Sequence, residues 1–268
     1  MERLHVLGTG NAAVTRCYNT CFTIQVGEEH ILCDAGGGNG ILRQLEDAGI
    51  TLGSIHHFII THAHCDHLLG AVWLLRMIGT AMNAGKYDGR LRIYCHRTVS
   101  EGLRAMAALM LPAKICALFD ERILFLATED GVQREMLGRS VTFFDIGSTK
   151  MLQFGFTMTL ADGRKLCCMG DEPFNPDCRE QVEGSAWLLS EAFCLYSQRE
   201  RFKPYEKHHS TVLDACRLAQ ELDIPHLVLW HTEDKNLPDR RQLYTLEGRQ
   251  AYTGDLYVPD DLDVIELT

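Results

Sequence analysis

No C-x-x-C pair occurs in this chain, although it carries 11 cysteines in 268 residues. A zinc site built from cysteine alone is thereby excluded. The odd count, the chain length and the lack of an export pattern point to reduced thiols rather than a disulfide framework. Cys33, Cys95, Cys167, Cys168, Cys194 and Cys216 lie in apolar surroundings and read as small core residues. No apolar run is long enough to span a bilayer. Residues Met1–Gly8 show no charged segment followed by a long apolar one, so no signal peptide and no membrane partner are expected, and a cytoplasmic location is. A dense Lys/Arg block is missing too. With 26 Lys and Arg against 36 Asp and Glu, the formal net charge is −10, which repels a polyanion. The mildly basic tract Arg199–His209 reads equally well as a solvated loop or as a contact for a substrate phosphate. No repeat, low-complexity tract or linker divides the chain, so a single domain over residues 1–268 is expected, with an ordinary apolar fraction of 46%.

What the chain does have is Thr61-His62-Ala63-His64-Cys65-Asp66-His67. Three imidazoles and a carboxylate within six residues suit a borderline metal such as zinc. They follow the apolar run Ile55–Ile60, which reads as a buried strand, and precede a helical stretch, Leu68–Ile78. Two further donors stand directly after apolar strands: Asp171 after Leu166–Met169, and His231 after His226–Trp230. Loops at one sheet edge are where such side chains converge. Other strands are expected at Leu4–Leu7, Cys21–Val26, His30–Asp34, Leu91–Cys95, Ile123–Leu126, Val141–Phe144, Phe154–Leu160 and Leu188–Ser190. Helices are expected at Ile41–Ala48, at Val99–Leu118 with a break near Pro112, at Thr211–Leu222 and at Arg240–Ala251. The loop Asp34–Gly40 reads as a tight turn beneath the histidine loop. The apolar Val99–Leu118 stretch reads as core or as a homodimer contact. Strands leading and helices interspersed give a layered α/β architecture.

The order T-H-x-H-x-D-H, then Gly170-Asp171, then a late strand ending in His231 resembles the metallo-β-lactamase superfamily. More narrowly, it is similar to the ribonuclease Z branch, the tRNA 3′-processing endonucleases. Leu7-Gly8-Thr9-Gly10, Asp34-Ala35-Gly36-Gly37-Gly38, Ser190-Glu191-Ala192 and His209-Ser210-Thr211 support that likeness. The resemblance implies a four-layer αββα sandwich and one or two divalent ions at one edge. It places His62 and His64 on one ion, Asp66, His67 and His231 on the other, and Asp171 between them. Zinc is the first expectation, and manganese and iron suit the same donors. Water activated there would attack phosphorus, with Asp66 essential to the reaction. His209, oriented by Glu191, would assist the leaving oxygen.

Two departures matter. The family places a further histidine just before a strand with a Gly-Phe or Gly-Tyr pair. Here the pair is Gly155-Phe156, the preceding segment has no histidine, and Gly147 is the expected vacant position. His96, Asp145 and Ser148 are the other residues weighed for that role. The second ion is therefore expected to bind more tightly than the first. Secondly, no Gly/Pro- and Lys-rich arm for gripping tRNA is present. A small phosphodiester, such as a cyclic nucleotide or short oligonucleotide, fits the net charge at least as well as RNA. Two competing readings are a hydrolase of small thioesters, lactones or lactams on the same fold, and a non-catalytic metal-binding or ligand-sensing protein with a partly decayed site.

Overall fold

The computed structural model describes residues 2–267. Two seven-stranded sheets lie face to face. The first runs β14-β1-β2-β3-β4-β5-β6 and the second β13-β12-β11-β10-β9-β8-β7. In the first sheet, β1 (Glu2–Gly8), β2 (Cys21–Val26) and β3 (Glu29–Cys33) are antiparallel, and β4 (Ile55–Ile59), β5 (Leu91–Cys95) and β6 (Ile123–Ala127) continue parallel to β3. The second sheet has antiparallel β7 (Gln133–Met136), β8 (Arg139–Asp145), β9 (Phe154–Thr159) and β10 (Lys165–Cys168). Beyond them β11 (Trp187–Glu191), β12 (His226–Trp230) and β13 (Asp255–Tyr257) run parallel to β10. The last strand, β14 (Val264–Glu266), returns to pair with β1 in the first sheet.

Helices cover both outer faces. α1 (Gly40–Asp47), α2 (Cys65–Asn83), α3 (Arg97–Met110) and the single turn α4 (Ala113–Cys116) flank the first sheet. The short α5 (Arg179–Val182) and α6 (Arg199–Phe202), with the longer α7 (Val212–Glu221) and α8 (Arg240–Gly248), belong to the second half. Three buried clusters show the layering. One joins Leu32, Phe58 and Ile93 to α1–α3; one fills the space between the sheets around Phe22, Phe143, Phe156 and Trp187; the third joins Leu188 and Leu227 to α7 and α8. This is the expected four-layer αββα sandwich.

Strand identity followed from buried alternation and short apolar runs, and the β2–β3 hairpin is closed by Gly27-Glu28, with Gly27 at φ +64°. α7 starts where Thr211 and Asp214 form a reciprocal capping box. Strands β7, β13 and β14 escaped the sequence reading. They are three or four residues long and all are edge strands, whose pairing comes from a neighbour already in place. The expected 99–118 helix divides at Pro112 into α3 and α4. It buries Val99, Leu103, Ala107 and Ile115 and leaves Leu109 and Met110 exposed. None of the described helices is long and apolar enough to cross a membrane.

Two buried histidines make the fold acid-sensitive. His30 bonds Thr23 Oγ1 at 2.9 Å through Nδ1, and His57 bonds the Tyr94 hydroxyl at 2.9 Å. Burial, with His5 adding to it at His30 and Arg92 at His57, lowers both pKa values from 6.5 to about 4. In that interval the unfolded chain binds the protons that the folded one refuses. Thermal melts should therefore show Tm falling steadily as pH drops from about 6.5 to about 4; a Tm flat across that window contradicts it.

Candidate metal centre

All six expected donors sit after the carboxyl ends of parallel strands, at one edge of the sandwich. The His62–His67 stretch leaves β4, but it is not all loop. His64 is the N-cap of α2, and Asp66 and His67 lie in the helix's first turn. The positive end of the helix dipole favours the Asp66 carboxylate there. α2 can approach this closely because Gly70 lacks a side chain: a Cβ at that position would stand 1.9 Å from the Ala35 carbonyl oxygen. Asp171 follows β10, Glu191 ends β11, and His231 follows β12 with φ +55°.

These residues form three overlapping donor groups: His62, His64 and Asp171; Asp66, His67 and His231; and Glu191, His209 and His231. Asp171 Oδ2 joins the first two, at 3.6 Å from His62 Nε2, 3.5 Å from His67 Nε2 and 3.4 Å from His231 Nε2. Asp66 Oδ2 lies 3.4 Å from both His67 Nε2 and His231 Nε2. Such separations are long for charge-assisted hydrogen bonds. The buried Nε2 of His67 has no hydrogen-bond partner at all. An orphaned imidazole nitrogen facing two carboxylates is a cation-binding arrangement, so the donor set fits a divalent metal.

The surrounding bonds aim these nitrogens. His67 Nδ1 bonds Asp34 Oδ2 at 2.7 Å, and Thr61 donates both its N–H (2.9 Å) and its hydroxyl (2.8 Å) to the same Asp34 carboxylate. With its proton committed, the Thr61 hydroxyl can only accept from His62 Nδ1, 2.9 Å away. Nε2 of both rings is thus turned to the cluster: that of His67 has no partner, and that of His62 lies 2.8 Å from His64 Nδ1. Asp34 stood in the sequence only as part of a glycine turn; its role depends on β3 and β4 being parallel neighbours.

Charge follows the same geometry. Burial, reinforced by His67, holds His62 well below the usual histidine pKa, so the ring is neutral and can offer a lone pair. Burial also works against charge on Asp66 and Asp171, but the facing imidazoles outweigh it and both carboxyls stay ionised. For His67, burial is overcome by Asp34, Asp171 and Asp66, which push its pKa well up. A cation entering the cluster competes with that proton.

His209 stands beside this cluster. Its Nδ1 is 3.6 Å from Glu191 Oε2, its ring stacks on Phe193 at 5.0 Å, and its centroid is 5.2 Å from that of His231. Glu191 is fully buried and held through the Ser210 N–H. The expected Glu191–His209 pair is therefore brought together, just beyond hydrogen-bond length. A cavity of about 370 Å³ opens over Asp66, Asp171, His209 and His231, and Lys150 and Lys207 also line it. Lys207 comes from the basic tract weighed as a phosphate contact, whereas Phe193 and Lys150 carry no sequence signature and were missed; only the fold brings them here.

The Asp34 contact yields a test. Asn tolerates the left-handed backbone of residue 34 (φ +55°). Asp34→Asn should weaken divalent-metal binding by roughly 10–100-fold, read by equilibrium dialysis, with the fold intact by circular dichroism; unchanged affinity would remove Asp34 from the site.

Comparison with known proteins bears on the fold and the family. Ribonuclease Z of Myxococcus xanthus is 26% identical, with 99% of this chain and 97% of the relative covered. Among solved structures, the metallo-β-lactamase fold protein YhfI from Bacillus subtilis superposes with a TM-score of 0.80 at 16% identity, covering 98% of each chain. The short form of human tRNase Z superposes with a TM-score of 0.75 at 20% identity, covering 99% of each. Residues 2–243 match the family described as Anti-Pycsar protein Apyc1. The chain accordingly belongs to the Apyc1 family, within the ribonuclease Z-like part of the metallo-β-lactamase superfamily.

Proposed function

We propose that the protein is a metal-dependent phosphodiesterase acting on a small phosphodiester, such as a cyclic nucleotide or a short oligonucleotide. The observation that carries this reading is the position of Asp171 Oδ2, within 3.6 Å of Nε2 on His62, His67 and His231. In this reading His62 and His64 hold one ion, Asp66, His67 and His231 hold the other, and Asp171 is shared. Zinc suits the nitrogen-rich set best, with manganese and iron as alternatives. Divalent ions there supply Lewis acidity, which acidifies water and neutralises charge on phosphoryl oxygens.

The remaining work falls to the chain's own side chains. His209, at the cavity wall, is placed to give a proton to the leaving oxygen, and Glu191 Oε2 stands 3.6 Å behind its Nδ1. That pair supports phosphoryl chemistry over thioester, lactone or lactam hydrolysis, and the ribonuclease Z relatives point the same way. Lys150 and Lys207 give the cavity positive walls for a phosphate. A space of about 370 Å³ is that of a small ligand, and the net charge of −10 disfavours gripping a long polyanion. The exposed Leu69, Trp73 and Met77 on α2, beside Met110 at the end of α3, support the homodimer reading. Light scattering should then return twice the chain mass; a monomer at micromolar concentration rejects the dimer without touching the chemistry.

Hydrolysis of bis-p-nitrophenyl phosphate with added zinc or manganese tests the activity, with pre-tRNA, cyclic nucleotides and small esters run in parallel. Asp66→Ala should abolish turnover. His209→Ala should lower kcat roughly 10²–10⁴-fold while leaving metal content unchanged. Turnover of thioesters or lactones alone, or of nothing with any metal, rejects the proposal.

A further inference from the structure

The loop before β9 is where the family resemblance calls for a third imidazole on the first ion position. The residue from this loop that reaches Asp171 is Gln153. Its side chain is 1% exposed, and its Nε2 donates to Asp171 Oδ1 at 2.6 Å. Backbone bonds pin it on both sides: Ile146 N–H to the Gln153 carbonyl and Phe154 N–H to the Thr61 carbonyl, each at 3.2 Å. The amide fits because residue 170 is glycine, at φ +79°; a Cβ there would lie 2.6 Å from Gln153 Nε2.

The other residues weighed for this position do not join the cluster. Gly147, at φ +70°, packs against Asn175. The Ser148 hydroxyl donates to Glu172 at 2.8 Å, and Asp145 accepts from the Gly147 N–H at 2.8 Å. His96 lies against Phe154, with ring centroids 6.1 Å apart, and belongs to no donor group among the described residues.

The two oxygens of Asp171 have separate partners. Oδ2 faces three imidazoles and Oδ1 is occupied by the amide. We infer that Gln153 stands in for the third imidazole, clamping Asp171 without offering a nitrogen lone pair, so that the two ion positions are unequal. His62, His64 and Asp171 are the protein donors of the first, whereas the second has Asp66, His67, His231 and Asp171. Gln153 is thus a positioning residue that sets the relative affinity of the two ion positions; this rests on reading the cluster as a metal site.

The test is zinc titration of the metal-stripped full chain by equilibrium dialysis, with bound zinc counted by mass spectrometry. The wild-type chain should bind two ions in steps at least about tenfold apart. Gln153→His, which restores an imidazole, should tighten the weaker step by roughly 10–100-fold, a gain that mere destabilisation cannot imitate. Gln153→Leu, which cannot donate to Asp171, should weaken the tighter step by a similar factor. Two equal ions in the wild type, or variants indistinguishable from it, overturn this inference and leave the metal reading intact. No zinc bound by the wild type overturns both. Equal steps in the wild type overturn the inference even if a variant does not fold.

Discussion

The Asp171 carboxylate ties the two halves of the sandwich together at the site. It leaves the end of β10 in the second sheet, yet its Oδ2 faces His62 and His67 from the first sheet as well as His231 from the second. Burying a carboxylate among apolar layers is costly unless opposite charge or hydrogen bonds meet it. Here the imidazoles meet one oxygen and Gln153 meets the other. Three buried imidazoles, the half-buried His64 and two buried carboxylates make sense together when a cation joins them, and make little sense as isolated core residues.

The scaffold behind the cluster is correspondingly stiff. Arg240, fully buried, donates to the hydroxyls of Thr9 and Thr232, to the Pro259 carbonyl and to Asp260. Thr232 follows His231, and its N–H bonds the Thr9 carbonyl at 2.9 Å. One guanidinium therefore braces the loop that holds His231 against the N-terminal Gly8–Gly10 segment. On the other side, Asp34 collects Thr61 and His67. Each ligand-bearing loop is anchored from a different strand, which is how side chains far apart in sequence reach a common point within tenths of an ångström.

Much of this was legible beforehand. The apolar runs at Ile55–Ile60 and His226–Trp230 could only be buried strands, and donors directly after them had to lie at one edge if the strands were parallel neighbours. The helical period after Leu68 was clear, but the true start at Cys65 was not, because metal-ligand types obscure a capping pattern. The short strands β7, β13 and β14 were invisible because three or four residues carry too little periodicity. Gln153 was invisible for another reason: a lone glutamine in an apolar stretch has no motif, and only its amide's approach to Asp171 gives it meaning.

By itself the sequence determined the chemistry available: the donor types, their order along the chain, the strands that carry them and the net charge that disfavours a long polyanion. Those are local matters of side-chain identity and hydrophobic period. Tertiary structure alone decided which donors share an oxygen, which tautomers His62 and His67 adopt through Thr61 and Asp34, and which cations reach the cavity. It also decided that an amide, rather than an imidazole, closes the Asp171 side. These are distances between residues remote in sequence, and they exist only once two sheets have packed and brought their loop ends together.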